Sequence, residues 1–84
     1  MNTPTQKHII IYSTPVCVHC HHAKDYLTSK GFTYEDVDVS KNIEGLKAAV
    51  MKSGQKGVPV IDIEGDIVVG FDQEAIDHLL GITK

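Results

Sequence analysis

The 84-residue chain has no apolar run long enough to span a membrane, and its first residues, Met1-Asn2-Thr3-Pro4-Thr5-Gln6, lack the apolar core of a secretory signal. It has no basic stripe either. Eight basic residues lie scattered against eleven acidic ones, for a net charge of −3, so a nucleic-acid partner has no electrostatic support. No internal repeat or low-complexity segment interrupts it. Cysteine is scarce, at two residues, and there is no second pair to complete a four-ligand structural zinc site. Two cysteines behind no export signal place the expected location in the reducing cytosol, where a Cys-x-x-Cys pair is catalytic rather than structural. A hydrophobic content of 42% with mixed charges excludes disorder. The length predicts one domain, residues 1–84, with 1–6 as a polar tail, and a monomer is expected.

What is present centres on Cys17-Val18-His19-Cys20. Before it, Lys7-His8-Ile9-Ile10-Ile11-Tyr12 is a β-branched run that predicts a buried strand over about 7–12. After it, Cys20, Ala23 and Leu27 recur on one helical face, with Ser13-Thr14-Pro15 as the turn between. This places Cys17 at a helix N-terminus, where free N–H groups and the helix dipole favour an anion. A cysteine so placed has its pKa lowered from ~8.5 into roughly the 3.5–7.5 range. Cys20, one turn on, is expected to be the more buried. An exposed attacking thiolate beside a resolving thiol is what thiol–disulfide exchange requires.

Three other readings compete. Free cysteines bury readily in cores, but two of them bracketing a strand–helix junction is a pattern of redox chemistry. Cys17, His19, Cys20, His21 and His22 form a cluster of metal donors, yet no separated second pair exists, and no metal site is expected. Cys17 to His21 also matches the Cys-x-x-Cys-His haem-attachment pattern, which would call for an exported, mostly helical chain. The β-branched stretches argue against that.

Along the chain, the first helix runs to Lys30 and stops at Gly31. Phe32 to Val39, with Val37 and Val39 alternating against Asp36 and Asp38, predicts a strand with one exposed face or an edge position. Strand, helix and strand total about thirty residues, the size of a right-handed βαβ unit. Ser40 or Asn42 caps a second helix with Ile43, Leu46 and Val50 on its apolar face, weakened by Gly45 and ended by Gly54. Gly57 to Ile63 is a third strand, Glu64-Gly65-Asp66 a tight turn, and Ile67 to Val69 a fourth strand. Asp72 caps a last helix carrying Ala75, Ile76, Leu79 and Leu80, closed by Gly81. The expected class is α/β, in the order β-α-β-α-β-β-α.

This order, with Ile11 to Cys20, Val58-Pro59 and Val69-Gly70-Phe71-Asp72 at their spacing, resembles a glutaredoxin of the thioredoxin superfamily over about residues 7–81. The resemblance implies a thioredoxin-like fold: a four-stranded mixed sheet in the order 2-1-3-4 with three covering helices. It implies that Cys17 attacks and Cys20 resolves, and that Pro59 is a cis proline facing the dithiol. Val58 would then offer its backbone to a docking partner. Gly70, Phe71 and Asp72 would hold the γ-glutamyl end of glutathione, Asp72 also acting as a cap.

Several positions depart from the family's usual pattern. Val18 and His19 stand where proline and tyrosine are common. Thr14 replaces a lysine three residues before the first cysteine, and Gly57 replaces a threonine. Lys56 is left as a candidate for the glycyl carboxylate. Val18 and Gly70-Phe71 are also similar to the glutaredoxin-like redoxins that serve ribonucleotide reductase and draw on thioredoxin reductase. His19, beside the thiolate, is expected to tune its poise. Glutathione is the expected co-substrate, with disulfide-bearing proteins as substrates, thioredoxin reductase as the alternative donor, and no cofactor tightly bound.

Overall fold

A computed structural model of the chain describes residues 8–55 and 57–81. The polar tail, Lys7 and the candidate Lys56 lie outside the described residues. Strand β1 (Ile9–Ser13) is central, and helix α1 (Val18–Ser29) crosses from it to the parallel edge strand β2 (Glu35–Asp38). Helix α2 (Ile43–Ser53) leads to β3 (Val60–Ile63), antiparallel to β1, then to the hairpin partner β4 (Asp66–Val69) and helix α3 (Gln73–Leu80). The sheet order is β2-β1-β3-β4, as the resemblance implied.

Side-chain alternation splits the core in two. Ile9, Ile11, Ile61, Ile63 and Val68 face α1 and α3 and meet Ala23, Leu27 and Ile76. Tyr12 and Val60 face α2, where they meet Ala49 and Val39. The isoleucine-rich run buries because β1 and β3 are interior strands with both faces covered.

Element boundaries shift where hydrogen bonding overrides pattern. Ser13 belongs to β1 and not to the turn: its carbonyl accepts from Val39 N–H at 2.9 Å, and its hydroxyl donates to Asp36 at 2.8 Å. Phe32 is outside β2 because its N–H closes the end of α1 on the Leu27 carbonyl at 3.0 Å. Phe32 and Tyr34 then turn inward against the core. Gly57, Val58 and Pro59 precede β3, whose pairing starts at Val60 opposite Tyr12 and Val69. Asp66 pairs with Ile63, so the hairpin turn is the two residues Glu64 and Gly65, at φ 53° and 95°. Positive φ at both positions is what a two-residue turn matched to strand twist demands.

Asn42, not Ser40, caps α2, accepting from Gly45 N–H at 2.9 Å, while the Ser40 hydroxyl turns to Asp38. The buried face of α2 is Gly45 and Ala49, and Ile43 is 68% exposed, so the expected Ile43 stripe is displaced. Gly45 is an approach point for the sheet rather than a weakness. A Cβ there would lie 2.6 Å from Val37 Cγ1. Alanine's helix preference is worth ~1 kcal/mol over glycine, against roughly 1–3 kcal/mol for overpacking. Gly45→Ala should therefore lower stability in urea unfolding, and adding Val37→Ala should recover part of the loss. A stabilised Gly45→Ala would refute the close approach.

Beneath α2 lies a polar network that pattern reading did not find. Lys52 Nζ donates to Asp62 Oδ2 at 2.6 Å and to the Tyr12 hydroxyl at 2.7 Å. Asp62 also accepts from Gly65 N–H at 2.7 Å. Burial pushes the Asp62 carboxyl up, but the hydrogen bonds from Lys52 and Gly65 outweigh it and hold it below its ordinary value. The bonds to Asp62 and then Tyr12 hold Lys52 above its own.

Candidate active site

β1 ends under the N-terminus of α1, and the Thr14-Pro15-Val16 connection is just long enough to reverse the chain. Cys17 N–H closes this turn on the Thr14 carbonyl at 3.3 Å. Cys17 is the N-cap of α1: its Sγ accepts from Cys20 N–H at 3.1 Å. The sulfur thus occupies the acceptor position that Ser or Asp takes at other helix starts. On its other side Sγ lies 3.9 Å from the carbonyl oxygen of Val58. Both cysteines are free thiols, Cys17 half-buried and Cys20 fully buried. Burial first, then the hydrogen bond with Cys17, pushes the Cys20 thiol up to about 12, opposed by the Thr14 backbone and the Lys24 charge.

Among the described residues, the other expected site residues lie at the same end of the sheet. The Val58–Pro59 peptide is cis, as the resemblance implied. The Pro59 carbonyl accepts from Gly70 N–H at 2.8 Å, joining the loop before β3 to the loop after β4. Phe71 is half-buried, packed on the core and edge-on to His22, while exposed Asp72 caps α3 through Ala75 N–H at 3.2 Å. Thr14 contributes its backbone. The exposed ring of His19 sits against His22, with centroids 6.2 Å apart.

His21, a candidate metal donor and the histidine of the haem-attachment pattern, instead places its Nε2 2.9 Å from the Pro15 carbonyl and so braces the turn before Cys17. Its place one helical turn after Cys17 was the available signal. Lys24 pairs with Asp36 at 2.7 Å, bolting α1 to β2. Among the described residues no three His, Cys, Asp or Glu side chains converge as a metal site, and no helix is long and apolar enough to cross a membrane. Val16 and Val18, on either side of Cys17, are 88% and 61% exposed, an apolar rim around the sulfur.

Comparison with known proteins agrees with this geometry. The glutaredoxin family model matches residues 9–68. A glutaredoxin-like 8.6 kDa protein encoded in a rubredoxin operon of Clostridium pasteurianum is 44% identical over 86% of this chain and 96% of its own. N-acetyl-S-hydroxy-L-cysteine reductase of Bacillus subtilis is 33% identical over 84% of this chain and 77% of its own. Among solved structures, the glutaredoxin-like protein NrdH-redoxin of Escherichia coli superposes with a TM-score of 0.77 at 29% identity, covering 86% of this chain and 93% of that one. With Cys17 capping α1, Cys20 one turn within it, and a 2-1-3-4 sheet, the chain belongs to the glutaredoxin family.

Proposed function

We propose that this protein is a cytoplasmic dithiol thiol–disulfide oxidoreductase that reduces protein disulfides or glutathione mixed disulfides. The observation that carries the reading is the helix-capping, half-buried Cys17 sulfur, held by Cys20 N–H, with Cys20 fully buried behind it. In the first step the Cys17 thiolate attacks one sulfur of the substrate disulfide. A mixed disulfide forms, and the other substrate sulfur leaves as a thiolate that takes up a proton. In the second step Cys20 loses its proton and attacks Cys17 Sγ. This releases the remaining substrate thiolate and leaves a Cys17–Cys20 disulfide, two electrons having passed to the substrate.

Burial first, and then the hydrogen bond with Cys17, holds Cys20 protonated until the mixed disulfide forms beside it.

Two molecules of glutathione then restore the dithiol and leave as glutathione disulfide. Asp72 would receive the γ-glutamyl ammonium, Gly70 and Phe71 would line the groove, and Val58 with Pro59 would present the docking edge. Thr14 borders the site, Lys56 is the candidate for the glycyl carboxylate, and His19 would act on the thiolate through space. The second reading, a thioredoxin-reductase-dependent redoxin for ribonucleotide reductase, draws on the apolar rim of Val16 and Val18. It draws also on the likeness to an NrdH-redoxin with a thioredoxin-like activity profile. The deciding assay supplies NADPH with either glutathione and its reductase or thioredoxin reductase, and follows reduction of a mixed-disulfide substrate. Turnover with glutathione, weakened by Asp72→Ala, is expected. Turnover only with thioredoxin reductase, indifferent to Asp72→Ala, would reassign Gly70, Phe71 and Asp72 to protein docking.

A further inference from the structure

A hollow beside the dithiol shares the Phe71 wall but extends away from the sulfurs along α1. Between α1 and the start of α3 lies a shallow cleft of about 450 Å³, lined by His22, Asp25, Tyr26, Ser29, Phe71 and Gln73. Three of its walls are rings set at angles to one another. His22 stands 6.5 Å from Phe71 at 65°, and Tyr26 5.8 Å from Phe71 at 59°. Rings splayed in this way turn faces as well as edges toward a guest, and a ring face attracts a cation. Tyr26 already holds one, the Lys30 ammonium 5.6 Å from its centroid. The Tyr26 hydroxyl is tethered to the buried carboxylate of Asp77, which fixes the ring. The cleft's one carboxylate, Asp25, forms no ion pair among the described residues. Asp72 and Glu74, both exposed at the start of α3, add negative charge at the rim.

We propose that this cleft is a docking subsite for a cationic side chain, lysine or arginine, of the disulfide-bearing protein substrate, seated against the Phe71 ring beside Asp25. The assignment rests on the reading of Cys17 as the attacking sulfur and names the kind of substrate that reading leaves open. Charge complementarity selects the occupant, since an acidic segment would meet Asp25, Asp72 and Glu74 together. The reach is right. His22 and Asp25 follow Cys17 on α1 by about 7.5 and 12 Å at a rise of ~1.5 Å per residue, a span of roughly two to four residues of extended peptide. The Phe71 wall adjoins Gly70, whose N–H is bonded to the Pro59 carbonyl, so the cleft and the Val58–Pro59 edge are continuous.

The test is single-turnover reduction of short peptides by the reduced protein at about pH 8, where an ordinary imidazole is neutral. Each peptide carries one cysteine as its mixed disulfide with thionitrobenzoate, whose release is followed by absorbance. Cys17 bonds to the peptide sulfur and expels thionitrobenzoate; Cys20 then expels the peptide thiolate. Peptides with lysine two to four residues from the cysteine are compared with glutamate twins. The best-spaced lysine peptide should react about tenfold faster than its twin, the scale of one cation–π contact with an adjacent carboxylate. Asp25→Asn should remove most of that ratio. Glu44→Gln, which deletes the same charge from α2 on the other face of the sheet, should leave it intact. Equal rates at every spacing, a ratio that survives Asp25→Asn, or one lost equally in Glu44→Gln would overturn the subsite. Hydroxyethyl disulfide, uncharged and without a peptide, should be reduced alike by the wild type and Asp25→Asn. No reaction with it at all would overturn the exchange activity itself, and the subsite with it.

Discussion

Cys17→Ser should bring disulfide exchange down by roughly a thousandfold or more, the scale seen when a covalent nucleophile is deleted. Cys20→Ser should behave differently. It keeps the attacking sulfur and loses only the group that resolves the mixed disulfide, so substrate proteins accumulate covalently on Cys17. Glutathione from solution can still release a glutathionylated one. Intact-mass measurement distinguishes the two variants directly. The same asymmetry should appear in alkylation near pH 7. Burial and then the hydrogen bond with Cys17 hold the Cys20 thiol far above its ordinary value, so it stays protonated at that pH, and it is fully buried besides. Iodoacetamide should therefore label Cys17 alone in the folded dithiol protein. Equal labelling of both cysteines would mean that Cys20 is not held behind Cys17.

Lys52→Met should be strongly destabilising although it lies away from the dithiol. It leaves the Asp62 carboxylate, whose side chain is 12% exposed, without its cation. Breaking a fully buried pair costs ~3–5 kcal/mol, and since the Lys52 side chain is 32% exposed, about 2–3 kcal/mol is expected. For a domain of this size that lowers the melting midpoint by roughly 10–20 °C. The pH dependence follows from the two shifts. Asp62 is held low, so its contribution is complete above the ordinary carboxylate value and is lost as pH falls through its folded value. Lys52 is held high, so its contribution is complete below 10.5 and is lost as pH rises through its folded value. The gap between wild type and variant should be widest between these limits and should close on acidification, when Asp62 protonates in both. A constant gap down to low pH would assign the loss to packing of the lysine stem instead.

The parts of this molecule that were legible in sequence are those set by near neighbours. Cys17 and Cys20 announce a helix start because the β-branched run ends five residues earlier and Ala23 and Leu27 continue the face. Asp72 and Gly81 bracket α3 in the same local way. What escaped depends on how neighbouring elements fold back on one another. Gly45 reads as a helix weakness until Val37 of β2 is seen to lie against it. Asp62 sits in a run that reads as apolar strand, and only the register of β3, with α2 laid over it, delivers Lys52. His21 was hidden among its neighbours, because three histidines in four residues look like ligands until a carbonyl claims one. Phe71 resists either label since the same ring is packed inward and edged outward.

The acidic composition of β2 has a consequence for the company this fold keeps. As an edge strand, β2 leaves one row of backbone N–H and C=O groups without a neighbouring strand. Glu35, Asp36 and Asp38 line that strand, and its pairing to β1 runs over only four residues. A second copy adding its own β2 there would set carboxylate beside carboxylate at short range, which disfavours cross-strand pairing. The acidic edge thus works against two copies joining their sheets through β2.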